Sequence, residues 1–371
     1  MRLARFWPAF FAALFMLNAV PAAAQLSSSQ PDPLARIREA ASSTPACSAT
    51  GESLCEQVAP KIIANAQGES PLAENLRRLN DEIGGGVSGS PSAARAVTWG
   101  VGAFRNAGVD GHTEKYKEHA GNPDDQENVV AEIRGREKPD EWVLLGAHLD
   151  SSTHGPGEAA NNCDAAMVIE AARDILLTGI RPRRSIRFVL FPGGEKGMPG
   201  SWMYVRAHRT ELDQARAAII LHSGCARVTG YSLNGRHDIE SGLREAMKPI
   251  ESLGAGHYVY DAVLGTGNFD FLVEGVPTLT SIQAQSGDVL KSSSASGTTN
   301  EPDKIDIADL KRNTAIAAVT AFGVAERAEP LGPRQSRPEI ESLLKTSGLG
   351  EQMKTAGLWP LWESGERGRK P

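Results

Sequence analysis

Four short, nearly unbroken apolar runs constrain this chain more than anything else in it: Asn128–Arg134 (NVVAEIR), Trp142–Ala147 (WVLLGA), Ser185–Phe191 (SIRFVLF) and Ala217–His222 (AAIILH). A strand with one wet face alternates apolar and polar residues; these runs hardly alternate, so both of their faces must be covered. The intervening segments supply the cover. A helix is predicted from about Asp164 to Leu177, with Val168, Ala171, Ala172 and Ile175 on one face, and another over about Ser201–His208. Strands dry on both faces and joined by helices predict an α/β fold with a mostly parallel central sheet flanked by helices on both sides.

The same pattern extends outward. Apolar residues recur at helical spacing from Glu56 to Asn80. They do so again over 93–108 (Ala94, Val97, Val101, Phe104), where Gly108 closes the helix. Strands are predicted at His257–Val263 and Pro277–Ile282, then a long helix carrying Leu310, Thr314, Ala317, Ala321 and Val324. No internal repeat is visible. The main domain is read as 56–327, after an extension at 25–55. A Pro/Gly-punctuated tail, 328–371, has two short helices and a basic end and reads as a surface-packed extension. With 40% hydrophobic and 23% charged residues the chain has ordinary globular composition.

Residues 1–24 stand apart. Arg2 and Arg5 precede an apolar run, Phe6 to Val20, and Ala22, Ala23 and Ala24 follow. This is the layout of a cleaved signal peptide, with Gln25 as the mature start. The run is short of the roughly 20 residues needed to span a bilayer. An exported protein, periplasmic or secreted, with no membrane anchor after cleavage is expected. Losing two arginines and no acid takes the formal net charge from −6 to −8, which argues against a nucleic-acid partner. In an oxidising compartment Cys47 and Cys55 make a natural local disulfide, while Cys163 and Cys225 either pair or pack as buried thiols, the second being the plainer reading.

In open α/β sheets ligands bind outside the carboxyl ends of the strands. After WVLLGA comes His148-Leu149-Asp150-Ser151, after SIRFVLF comes Pro192-Gly193-Gly194-Glu195, and after AAIIL comes His222-Ser223-Gly224. Three strand ends therefore send His148, Glu195 and His222 toward one rim. No G-x-S-x-G turn marks a serine nucleophile.

Together with GTGNFDFLVEGVPTL and DKIDIADLKRN, these stretches resemble the secreted dizinc exopeptidases, the family of bacterial leucyl aminopeptidase and carboxypeptidase Q, over about Glu56 to Glu326. The resemblance implies the zinc-exopeptidase (phosphorylase/hydrolase-like) fold. It also implies two zinc ions bridged by an aspartate and a water, with a glutamate as general base. Carried over by position, His148 matches a zinc ligand, Asp150 the carboxylate that orients it, and Glu195 a ligand glutamate. The bridging aspartate's place is held by Ala160, the general base's by Gly194, a later ligand aspartate's by His222 and the final ligand histidine's by Ser296. The family's Asp-His pair near the pocket has become Gly267-Asn268. Of the chain's eight histidines the last is His257.

Zinc sites need three or four protein ligands, so at most one weak zinc site is expected, and a pseudoenzyme that binds peptide or amino-acid-like ligands without hydrolysing them. The alternative is a single-zinc hydrolase that recruits His154, Glu158, Cys163 or Asp164 beside His148 and His222. The export reading has a direct check: N-terminal sequencing of the mature protein should begin at Gln25, and material starting at Met1 outside the inner membrane would overturn it.

Overall fold

The computed structural model describes residues 54–83, 90–116, 126–149, 160–193, 197–262, 264–283 and 305–371, all within the compact unit Pro33–Pro371. Helix α1 (Leu54–Gln67) stops at Gly68, and α2 (Leu72–Arg77) runs on into a π-helical turn, Arg78–Ile83. The periodicity from Glu56 to Asn80 is thus divided between two helices. Helix α3 (Pro91–Asn106) has both start signals. Ser90 Oγ accepts the Ala93 N–H at 3.2 Å, and Pro91 takes the first position, where its missing N–H costs nothing.

Strands β1 (Gly111–Tyr116), β2 (Gln126–Ile133) and β3 (Lys138–His148) lead to helix α4 (Ala160–Leu177), then β4 (Arg184–Phe191), α5 (Pro199–Ala207) and β5 (Ala215–Ile220). Next come β6 (Val228–Ser232), α6 (Glu240–Met247), β7 (His257–Val259), α7 (Asn268–Leu272), β8 (Thr278–Gln283) and the long α8 (Ile307–Glu326). The tail forms α9 (Arg337–Thr346), α10 (Leu349–Thr355) and α11 (Trp359–Glu363).

The strands make one eight-stranded sheet in the order β1-β2-β4-β3-β5-β8-β6-β7. Its centre, β4-β3-β5-β8, is parallel, whereas β1 and β2 on one side and β6 on the other join antiparallel. Alternate side chains explain why the central runs must be apolar throughout. On β3, Val143, Leu145 and Ala147 enter the core under α1, α3, α4 and α8; Trp142 and Leu144 enter the opposite one, with Tyr204 and Val205 of α5 and Phe271 of α7.

The strongly basic run RPRRSIR would be costly in a core strand unless partnered. Arg184, fully buried, donates Nε to Glu141 at 2.6 Å and Nη2 to the Ala328 carbonyl at 3.1 Å, and also meets the Arg327 carbonyl. Arg136 makes a two-pronged pair with Glu326, 2.6 Å on each arm. Both arginines gather at the C-terminal end of α8, where unpaired carbonyls and the helix dipole favour cations.

The tail is more than a surface extension. Ile340, Leu343, Leu344, Leu349, Met353 and Trp362 form an apolar cluster with Met198, Phe269, Leu272 and Val273. The basic end is drawn inward, since Arg367 is only 3% exposed.

A clasp ties β1 to α5 and the turn after it. His208 Nε2 meets Glu114 at 2.9 Å, its Nδ1 meets Glu211 at 3.2 Å, and its ring stacks 4.3 Å from Tyr204. Burial lowers the pKa of His208, but Glu114 and then Glu211 outweigh it, so the net shift is upward from 6.5. A histidine whose folded pKa is raised stabilises fully below its unfolded pKa and loses that contribution as pH rises through the folded value. Thermal unfolding of wild type and His208→Gln should therefore differ most near pH 6 and converge in the alkaline range; a gap independent of pH would refute the clasp.

Candidate active site

Register brings two imidazoles edge to face. In the parallel pair β3–β5, Gly146 lies opposite Ile220, and the Leu221 N–H continues the ladder to the Gly146 carbonyl at 2.9 Å. Two residues further along, the strand ends carry His148 and, beyond β5, His222. Their ring centroids are 6.2 Å apart with planes at 75°. Of the residues singled out from the strand ends, these are the two that the structure brings together. Asp150, Glu195, Gly194, Ser296, His154 and Glu158 lie outside the described residues, and of Ala160 only its place as the first residue of α4 is described.

His148 is 4% exposed, and neither ring nitrogen has a hydrogen-bond partner within bonding geometry among the described residues. The Phe191 carbonyl beside it accepts the Leu149 N–H at 3.0 Å instead. A buried polar group left unpaired costs roughly 1–3 kcal/mol, and the described residues do not meet that demand for this imidazole. Burial holds its pKa down to about 4. His222 is likewise depressed to about 4, by crowding and then by the facing His148. Its residue surface is nonetheless exposed, so solvent moderates that depression. Both rings are neutral at neutral pH, with lone pairs free to accept.

The acidic neighbour is spent elsewhere. Asp164, 2% exposed on the first turn of α4, accepts the Gly224 N–H at 2.9 Å and the Ser223 hydroxyl at 3.4 Å. Burial pushes its carboxyl up to about 8 despite those bonds. It is therefore largely protonated at neutral pH when no cation is near. Asn162 on the same turn donates to Asn80 Oδ1 in the π-helical turn at 2.7 Å.

The cysteines correct the sequence reading. Cys163 and Cys225 form a disulfide, their Cα atoms 5.2 Å apart, because the first turn of α4 and the loop after β5 converge beside His222. Cys55, expected to pair with Cys47, is a free thiol in the first turn of α1. It is buried near α8 and directed at the Ala246 carbonyl 3.7 Å away. Cys47 lies outside the described residues. Cys163 is thereby removed from the set of recruitable ligands, as Asp164 is by its bonds.

Gly267 packs beside Phe191 and Ser201, and Asn268 donates to Asn234 Oδ1 at 3.1 Å, with its own Oδ1 unpartnered among the described residues. Asn234 holds φ at 49°, a conformation that asparagine tolerates better than most residues. The turn leading out of β4 is closed by the Met198 N–H on the Gly193 carbonyl at 3.2 Å. Met198 itself has φ 63°, an uncommon conformation for a bulky residue and one that gathers at functional sites. Arg367 clamps this turn from the tail. It donates to the Gly197 carbonyl at 3.1 Å and pairs with Asp270 at 2.7 Å, while Ser201 Oγ donates to Asp270 at 2.6 Å. Sequence reasoning passed over Asp270 and Arg367; the basic RGRK ending was the one visible signal.

Two zinc ions do not fit the described donors. Among the described residues no three His, Cys, Asp or Glu side chains are grouped to hold a metal, and a structural or catalytic zinc needs at least three protein ligands.

Comparison with known proteins follows the same framework. The model of Peptidase family M28 matches residues 128–319, slightly over half of the chain. Rat (Rattus norvegicus) carboxypeptidase Q is 31% identical over 153 residues, covering 41% of this chain and 32% of that protein. The match thus spans about a third of the length of such curated relatives. A peptidase M28 precursor from Shewanella amazonensis superimposes with TM-score 0.64 at 19% identity, over 76% of this chain and 99% of that one. For an aminopeptidase from Aneurinibacillus sp. strain AM-1 the values are 0.58, 14%, 76% and 98%. The last two likenesses concern the fold alone.

The buttress under the β4–α5 turn has a measurable weight. Removing one partner of a buried ion pair costs about 3–5 kcal/mol, so Arg367→Met should lower unfolding free energy by an amount in that range. Adding Asp270→Asn should restore part of it. Additive losses in the double variant would show that the pair is not the source.

Proposed function

The chain belongs to peptidase family M28, and from that premise we propose that it is an exported, degenerate member that keeps the family fold and a peptide-accepting cleft but does not hydrolyse peptides through paired zinc ions. The observation that carries this reading is the run of residues from 258 through 319, inside the family match, which contains no histidine to serve as the late ligand. Ala160 and Gly194, at the places of the bridging aspartate and the general base, point the same way. Without a shared anion two cations repel each other, and without a base no group takes the proton of an attacking water.

The facing imidazoles give a second reading some footing. The buried, unpartnered His148 and the exposed His222 could share one divalent ion in a weak site, joined by Glu195 or another group. Against this, Cys163 is tied up in a disulfide and the Asp164 carboxyl is occupied by the 223–224 backbone and hydroxyl. The ligand proposed for the cleft is a peptide or amino-acid-like molecule, taken over from the family's chemistry. Periplasmic or secreted placement rests on residues 1–24; among the described residues no helix is long and apolar enough to cross a membrane.

Stringently purified mature protein should show no chelator-sensitive, zinc-restorable cleavage of aminoacyl or dipeptide substrates, and calorimetry should find at most one weak zinc site. Turnover that falls with chelator, returns with zinc and disappears on His148→Ala would replace this reading with the single-zinc hydrolase.

A further inference from the structure

We propose that the Cys163–Cys225 disulfide is a redox-sensitive positioning crosslink on this cleft: intact, it holds the 222–225 loop on α4 with the His222 ring opposite His148, and its reduction lets that loop and ring move away. The inference rests on the cleft described above but not on its lack of hydrolytic activity.

The two rings are positioned very differently. His148 ends β3, between β4 and β5, and is 4% exposed, so the sheet itself places it. His222 lies past the end of β5, exposed, on a loop that only then turns toward β6. Ladder bonding stops at the Leu221 N–H. Beyond it the His222 N–H goes to Ser281 Oγ at 2.8 Å, the Gly224 N–H and Ser223 hydroxyl go to Asp164, and Cys225 is bonded to Cys163. Three of these four ties are side-chain hydrogen bonds, each worth about 1 kcal/mol net. The disulfide is the one covalent tie. It reaches a turn that is itself anchored, through Asn162 to Asn80.

Cys163 is fully buried and Cys225 only partly so, which fixes the course of reduction. A thiolate of an external dithiol attacks the Cys225 sulfur, the S–S bond breaks, and Cys163 leaves as a thiolate that takes a proton. The dithiol's second thiol then displaces Cys225 and closes its own disulfide. Two protein thiols form and one dithiol is oxidised. The released loop retains its weaker bonds to Asp164 and Ser281, so local opening rather than global unfolding is expected.

The test uses chelator-treated, full-length mature protein. Non-reducing peptide mapping should recover Cys163 joined to Cys225, with Cys55 free. Imidazole proton–carbon correlation spectra, taken before and after dithiothreitol below the melting temperature, should show the His222 signal moving while His208, His237 and His257 stay. Amide exchange over 222–226 should rise at least about tenfold. The Cys163→Ser/Cys225→Ser variant should reproduce the reduced spectrum without reductant, and adding Asp164→Ala should accelerate exchange further. A crosslink that merely stabilises the whole fold would leave the His222 signal in place in the folded, reduced protein. That result, or mapping that joins Cys163 to another residue, overturns the proposal. If the double-serine variant fails to fold, the reduced wild-type spectrum decides alone. Zinc-dependent turnover would end the reading of the preceding subsection and leave this one standing, and an unmoved His222 would do the reverse.

Discussion

Burial of both faces of the four parallel central strands is the constraint on which the rest depends. Strands β4, β3, β5 and β8 have helices packed on each side, so a polar group in their interior is costly and apolar residues dominate there. Polar chemistry is pushed to the strand ends and to helix termini. At the carboxyl ends this yields the facing imidazoles of His148 and His222. Elsewhere it produces the arginine cluster that receives the last carbonyls of α8. Cleft and buttress are thus two outcomes of one rule about where charge and lone pairs can be tolerated.

That rule also says how much could be read from sequence. The central strands and covering helices were legible because two-sided burial writes an uninterrupted apolar run, and β3, β4, β5, α4 and α8 lie where those runs predicted. Strand β1, GHTEKY, was invisible: at the sheet edge its burial follows no alternation and its residues are of mixed polarity. Strand β6, five residues with a glycine inside, is too short to show a period. The Gly230 position is explained only by packing, since a Cβ there would stand 1.7 Å from the His257 carbonyl oxygen. The parallel character predicted for the sheet holds for its centre, while the pairs β1–β2, β2–β4 and β6–β8 toward the margins are antiparallel.

The site was legible where position along a strand decides it and illegible where approach between distant segments does. Strand ends identified His148 and His222, and their register then made them neighbours. Cysteine pairing followed the opposite logic. Short separation favoured Cys47 with Cys55, yet the bond joins residues 62 apart, because α4 and the loop after β5 meet in space. Asp164 looked like a ligand in reserve one turn beyond Ala160. Its commitment to Ser223 and Gly224 depends on a loop whose course no local pattern records. Arg367 and Asp270 were missed for the same reason, with 97 residues between the partners of one buried ion pair.

The electrostatics of the described cleft bear directly on what it can hold. Dications are retained by fixed anions and by imidazoles whose lone pairs converge with them. Here the described groups are two neutral imidazoles and a carboxyl raised to about 8, which carries little charge at neutral pH. Against the described groups alone, a cation would be desolvated by dipoles without a fixed anion, a cost that charged side chains outside the described residues would change. A polar, uncharged group fits the same set without that cost. His148 Nδ1 and Nε2 and, separately, Asn268 Oδ1 beside Asn234 are buried atoms with no hydrogen-bond partner among the described residues, and a group carrying an amide can satisfy such atoms in both senses, donating to a lone pair and accepting from an N–H.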